Sequence, residues 1–102
     1  IHLLKLALDK NIKATIIDSC NKIYLINQAC HLEKSKVSGN YISLLPLTTT
    51  VTGITLKGFK YPLYQKTIEI GTSLCISNEI VEDIATIEFD KGILIVYETA
   101  DE

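Results

Sequence analysis

Two short stretches gather the side chains best suited to chemistry. In residues 71–79, GTSLCISNE, the polar groups of Ser73, Ser77, Asn78 and Glu79 follow directly on an extended run. Small hydroxyl and amide groups at a strand end can read the donors and acceptors of a flat heterocycle. The same residue types also form plain turns by bonding their own backbone. In residues 55–63, TLKGFKYPL, Gly58 sits among Lys57, Phe59, Lys60 and Tyr61. A glycine there permits a β-bulge, which either leaves both rings in the core or re-aims an aromatic face toward a ligand.

Other chemistries find little support. Cys20, Cys30 and Cys75 are odd in number and form no CxxC or zinc-type spacing with His2 or His31, so three reduced thiols acting as small apolar residues are expected. Cys30 and His31 are adjacent, and neighbours on a strand point to opposite faces, which disfavours a thiol–imidazole pair. No paired carboxylates stand beside a base, and neither Gly53 nor Gly58 opens a helix as a phosphate loop would. Two histidines without an HxH pair make a cupin-type metal site improbable. All ten basic residues are lysine, the formal charge is -2 and the pI is near 5.6. Without arginine forks or a basic face, nucleic acid is not an expected partner. No run of 18 apolar residues exists to cross a membrane as a helix.

The elements that must position these residues are mostly strands. The chain has 102 residues, 47% of them apolar, which suits one domain with its own core. Residues 1–11, IHLLKLALDKN, are densely apolar and read as a helix buried on most sides. That helix lacks an N-cap and the chain lacks Met, so we expect it to be the end of a helix belonging to a larger protein. Sixteen isoleucines then accompany a change to extended periodicity. Strands are expected at 13–18, 22–27, 30–34, 41–47, 51–56, 61–70, 74–77, 83–90 and 93–98. The first two read as a hairpin, Pro46 puts its strand at an edge or bulge, and Asp90, Lys91 and Gly92 form a tight turn between the last two. Thr48, Thr49 and Thr50 read as a strand connection. About nine short strands at spacings of roughly ten residues predict an all-β, jelly-roll-like sandwich over 12–102.

Three blocks, YISLLPL (41–47), VTGITLKGFKYPL (51–63) and GTSLCISNE (71–79), in this order and spacing, resemble the carboxy-terminal thiamine-binding domain of thiamine pyrophosphokinase. The resemblance covers essentially everything after Asn11. It implies a two-domain cytoplasmic enzyme that transfers a pyrophosphoryl group from ATP to thiamine with Mg²⁺, giving thiamine pyrophosphate and AMP. Catalytic residues, nucleotide and metal would belong to an absent amino-terminal α/β domain, so this part alone would be inactive. Active sites would form across a homodimer. Position by position, Ser77 and Asn78 match the family's Ser-Asn pair and are expected to hydrogen-bond the aminopyrimidine. Cys75 stands where members carry a small hydroxyl residue or glycine. Tyr61 stands where some carry Trp, as a stacking ring or a packing residue, and Glu79 matches a residue frequent in bacterial-looking members. Aside from the resemblance, the pattern also fits a stand-alone sandwich binding a sugar or other small ligand, or a dimerisation module.

Overall fold

A computed structural model describes residues 15–17, 21–37, 39, 41–71 and 77–100. Within them lie eight strands: β1 (Thr15–Ile17), β2 (Asn21–Ile26), β3 (Cys30–Glu33), β4 (Tyr41–Pro46), β5 (Thr50–Lys57), β6 (Leu63–Glu69), β7 (Ile84–Glu88) and β8 (Leu94–Thr99). They form two four-stranded antiparallel sheets, ordered β1-β2-β8-β4 and β3-β7-β5-β6. The described residues contain no helix. The expected helix at 1–11 lies outside the described residues.

Alternation along the strands builds the interior. In β4, Ile42, Leu44 and Pro46 are buried while Tyr41, Ser43 and Leu45 are half-buried, the period-2 signature of a strand with one face on the core. Ile42 and Leu44 meet Leu94 and Val96 of β8, and from the opposite sheet Leu32, Val51, Ile54, Leu56, Ile68, Ala85 and Ile87 complete one cluster. Burying each larger side chain stabilises the fold by about 1.5–3 kcal/mol. β8 departs from alternation, with Leu94, Ile95 and Val96 all buried. The reason is a second apolar cluster on the other face of the first sheet, where Leu25 and Ile95 pack with Ile23, Leu45, Leu47, Ile93 and Tyr97.

Several expectations hold, and others need correcting. β1 and β2 pair antiparallel, Thr15 opposite Tyr24, and β4 with Pro46 is an edge strand, where a missing N–H is tolerated. Thr48 and Thr49 do connect strands, while Thr50 already opens β5: the Thr48 hydroxyl donates to the Thr50 carbonyl at 2.8 Å and accepts the Ile93 N–H at 3.2 Å. The turn at 90–92, in contrast, joins no hairpin. β7 and β8 lie in different sheets, and the link between them is held by Asp90 N–H to Thr52 O at 2.8 Å and Thr52 N–H to Lys91 O at 3.0 Å. The strand count is eight among the described residues, not nine. Of the expected strand 74–77 only Ser77 is described, and it belongs to no strand because its φ of +56° breaks an extended run.

Candidate functional site

Residues 77–82 form a strap between the two sheets. Asn78 pairs with Ile42 of β4 in both directions, Ile42 N–H to Asn78 O at 2.7 Å and Asn78 N–H to Ile42 O at 2.9 Å. The next residues turn their backbone to the other sheet. Lys60 N–H donates to Glu79 O at 2.8 Å, Ile80 bridges Phe59, and Val81 N–H donates to Gly58 O at 2.9 Å. The strap thus ties the edge strand of the first sheet to the segment that leaves β5 in the second.

Gly58 is required by the close approach of the start of β7. Its φ is +80°, and a Cβ there would lie 2.6 Å from the Ile84 carbonyl oxygen, so both backbone conformation and space require glycine. Past this point the two rings separate. Phe59 is buried in the main cluster, while Tyr61 is 57% exposed. Gly58 is thus a bend just after β5 rather than the expected bulge within a strand, since the register shifts of β5 lie between Val51 and Leu56, and of the two rings only Phe59 is in the core.

The Asn78 side chain holds Tyr61 in place. Its Oδ1 accepts the Tyr61 N–H at 2.9 Å and the Glu79 N–H at 3.0 Å, and its Nδ2 donates to the Tyr61 carbonyl at 2.8 Å. Asn78 is 4% exposed, where each such bond counts because an unmade one would leave a buried polar atom unsatisfied. One amide hydrogen remains uncommitted among the described residues. Ser77 is exposed, with its backbone N–H donated to Ser43 Oγ at 2.8 Å.

Charges frame the ring. The Lys60 ammonium lies 5.5 Å from the Tyr61 ring centroid and 3.4 Å from a Glu79 carboxylate oxygen. The hydrogen bond to Glu79, and next the neighbouring Tyr61, hold the lysine above its ordinary pKa. Ser77, Asn78, Glu79 and Tyr61, nominated from two separate sequence blocks, are thus brought together. Cys75 lies outside the described residues. Sequence reasoning missed Ser43, which reads only as an unremarkable polar position on a strand, and the mutual contacts of Lys60 with Tyr61 and Glu79.

Two other polar groupings lie apart from the strap. Within the sandwich, the Tyr24 hydroxyl donates to Glu98 Oε2 at 2.6 Å, and Glu98 is 3% exposed. Burial and then Glu98 push the Tyr24 phenol upward, and the same two causes in the same order push the Cys30 thiol up to about 11. A thiol so raised is a poor nucleophile near neutrality. Cys30 packs against the core while His31 is exposed beside the Thr86 hydroxyl, 3.3 Å away, so the two adjacent residues do face apart. His31, Glu33, Lys36, Ile84 and Thr86 line an open cleft of about 570 Å³. Among the described residues no three His, Cys, Asp or Glu side chains are placed to hold a metal ion, and no helix is long and apolar enough to cross a membrane.

Comparison with known proteins gives this geometry a context. Residues 28–94 match the family model described as thiamin pyrophosphokinase, vitamin B1 binding domain. A curated thiamine pyrophosphokinase of Bacillus subtilis is 38% identical over 101 residues, 99% of this chain and 47% of the relative. The crystal structure of Bacillus subtilis thiamine pyrophosphokinase superimposes with a TM-score of 0.93 at 38% identity, covering 99% of this chain and 47% of that one. That of Geobacillus thermodenitrificans thiamin pyrophosphokinase gives 0.84 at 33% identity, covering 99% and 46%. The chain therefore spans about half the length of these relatives. With the match running through β4, the Gly58 segment and the strap, this chain belongs to the family of thiamin pyrophosphokinase vitamin B1-binding domains.

Proposed function

We propose that this chain is the substrate-holding part of a thiamine pyrophosphokinase, with the strap and Tyr61 forming its share of the thiamine pocket. The observation that carries the reading is the Asn78 clamp, which sets the exposed Ser77, an amide hydrogen uncommitted among the described residues and the exposed Tyr61 on one structural unit. Hydrogen-bonding groups beside an aromatic face suit an aminopyrimidine, which presents donors and acceptors at its edge and a π-face above. The family membership and the names of the relatives support the same ligand.

The chemistry assigned to these residues is positional. Phosphoryl-type transfer depends on in-line placement and charge stabilisation rather than on covalent help from the protein. In this account Ser77 and Asn78 fix the ring edge, Tyr61 covers a ring face and excludes water, and the hydroxyethyl arm of thiamine is left pointing at the ATP β-phosphorus. Glu79, paired with Lys60, sets the charge at the rim. Cys75, four residues before Glu79, is included in the proposed pocket from its place in the same block. Among the described residues no three His, Cys, Asp or Glu side chains are grouped to hold Mg²⁺. ATP, Mg²⁺ and the catalytic residues are assigned to the part of the relatives' length that this chain does not span, an α/β domain ending in the helix read at 1–11. Sites shared across a homodimer, with a cytoplasmic location, complete the proposal.

The test is calorimetric titration of the full-length protein with thiamine, with and without an ATP analogue. Saturable one-to-one binding that tightens with the nucleotide analogue is expected. A complete absence of thiamine binding, with ATP binding intact, would refute the reading.

A further inference from the structure

Ser43 occupies the middle of β4, between Ile42 and Leu44, which both point into the core. Its side chain is therefore on the opposite face of the strand, and its Oγ accepts the Ser77 backbone N–H at 2.8 Å. Ser77 is one of two residues other than glycine with a positive φ among those described. The left-handed conformation is unfavourable for a residue with a Cβ, and it persists only where surrounding bonds over-determine it. Such bonds surround Ser77. Asn78 is fixed to Ile42 through both of its backbone groups, and Ser43 fixes the residue immediately ahead of it. Two consecutive residues of β4 thereby hold two consecutive residues of the strap, one through the main chain and one through a hydroxyl.

We propose that Ser43 is a positioning residue for ligand recognition by the strap: its hydroxyl holds Ser77 in the left-handed conformation from which the Ser77 side chain and the Asn78 amide face the ligand together. Ser43 itself touches no ligand in this account. It acts through Ser77, and the inference rests on the reading that the strap holds thiamine. Loss of the hydroxyl frees the Ser77 N–H and lets φ relax toward the commoner negative region. The recognition groups then spread over several orientations, and binding carries the entropy of selecting one of them.

The experiment compares Ser43→Thr with Ser43→Val in the full-length protein. Both are strand formers of similar shape, and they differ in the presence of the acceptor oxygen. Thiamine dissociation constants by calorimetry and steady-state constants for thiamine and ATP are measured, with thermal unfolding alongside. The expected result is an increase in thiamine Kd and KM of about five-fold for Ser43→Val, the size of one neutral hydrogen bond, with the KM for ATP unchanged. Ser43→Thr should stay within about two-fold of the wild type. A valine variant that binds thiamine as the wild type does, or a threonine variant that loses as much as valine, overturns the proposal. If Ser43→Val fails to fold, Ser43→Ala supplies the same contrast. Failure of the two readings is distinguishable: a wild-type protein that does not bind thiamine removes the proposed function, whereas normal wild-type binding with no valine effect removes Ser43 alone.

Discussion

Between the sheets, Val51, Ile54, Ala85, Ile87, Leu94 and Val96 are fully shielded from solvent and carry no polar side-chain atom. The strap at 77–82 is held instead by backbone pairs on both sides, one buried amide and one hydroxyl. The first region draws its stability from area, which is non-directional and shared among many neighbours. The second draws position from directional bonds, each of which specifies where one residue goes. Substitutions in the interior should therefore act on stability without touching recognition selectively, and substitutions in the strap should do more to recognition than their stability cost suggests.

The largest expected effect belongs to the interior. Ile54→Ala should destabilise the protein by about 3 kcal/mol through lost burial and a residual cavity, measured by denaturant unfolding, while the folded fraction keeps its thiamine affinity. A selective loss of affinity at unchanged stability would break the distinction. Asn78→Ala comes next, at about 2 kcal/mol, since it leaves the Tyr61 N–H and carbonyl without their partner. Its thiamine KM should rise several-fold or more with ATP binding unchanged. An Asn78→Ala enzyme with wild-type thiamine dependence would remove this residue from the site.

A gentler perturbation is alkaline pH, which reaches the interior. Cys30 has its thiol pKa raised from 9.0 to about 11 by burial and then by Glu98. The folded state favours the protonated thiol, so its contribution is fully present below pH 9 and is lost as pH rises from about 9 through 11. Unfolding free energy should fall across that window more steeply in the wild type than in Cys30→Ala. Equal slopes would show that the thiol is not the responsible group. The smallest effect is expected at the rim. Lys60→Ala removes an exposed pair with Glu79 and should leave stability essentially unchanged. Its effect on thiamine binding should diminish with added salt, as expected for an exposed charge, and a salt-independent effect would point to the lysine stem rather than its charge.

The same contrast explains what could be read from the sequence. Strands such as YISLLP announce themselves by alternation and Pro46 signals an edge, because both are local consequences of backbone geometry, whereas the bulge expected at Gly58 is a bend just past the end of β5 and the register shifts lie between Val51 and Leu56. The assignment of strands to sheets is not local. Tyr24 and Glu98, bonded inside the sandwich, are 74 positions apart, and the 90–92 turn reads like a hairpin although it carries the chain from one sheet to the other. The candidate site divides in the same way. Ser77, Asn78, Glu79 and Tyr61 stand out by type and by their resemblance to a family. The bond that joins Ser43 to Ser77 crosses 34 positions, and no periodicity encodes it. Of the strand expected at 74–77, the one described residue, Ser77, is left-handed, a conformation that a run of extended formers does not announce.

The central claim, that the strap and Tyr61 hold thiamine, is tested most directly by a crystal structure of the full-length protein with thiamine and a non-hydrolysable ATP analogue. The aminopyrimidine should lie within about 3.5 Å of Ser77 Oγ or Asn78 Nδ2, with the Tyr61 ring against its face. Thiamine found elsewhere with the strap empty, for example in the cleft lined by His31, Glu33 and Thr86, would contradict it.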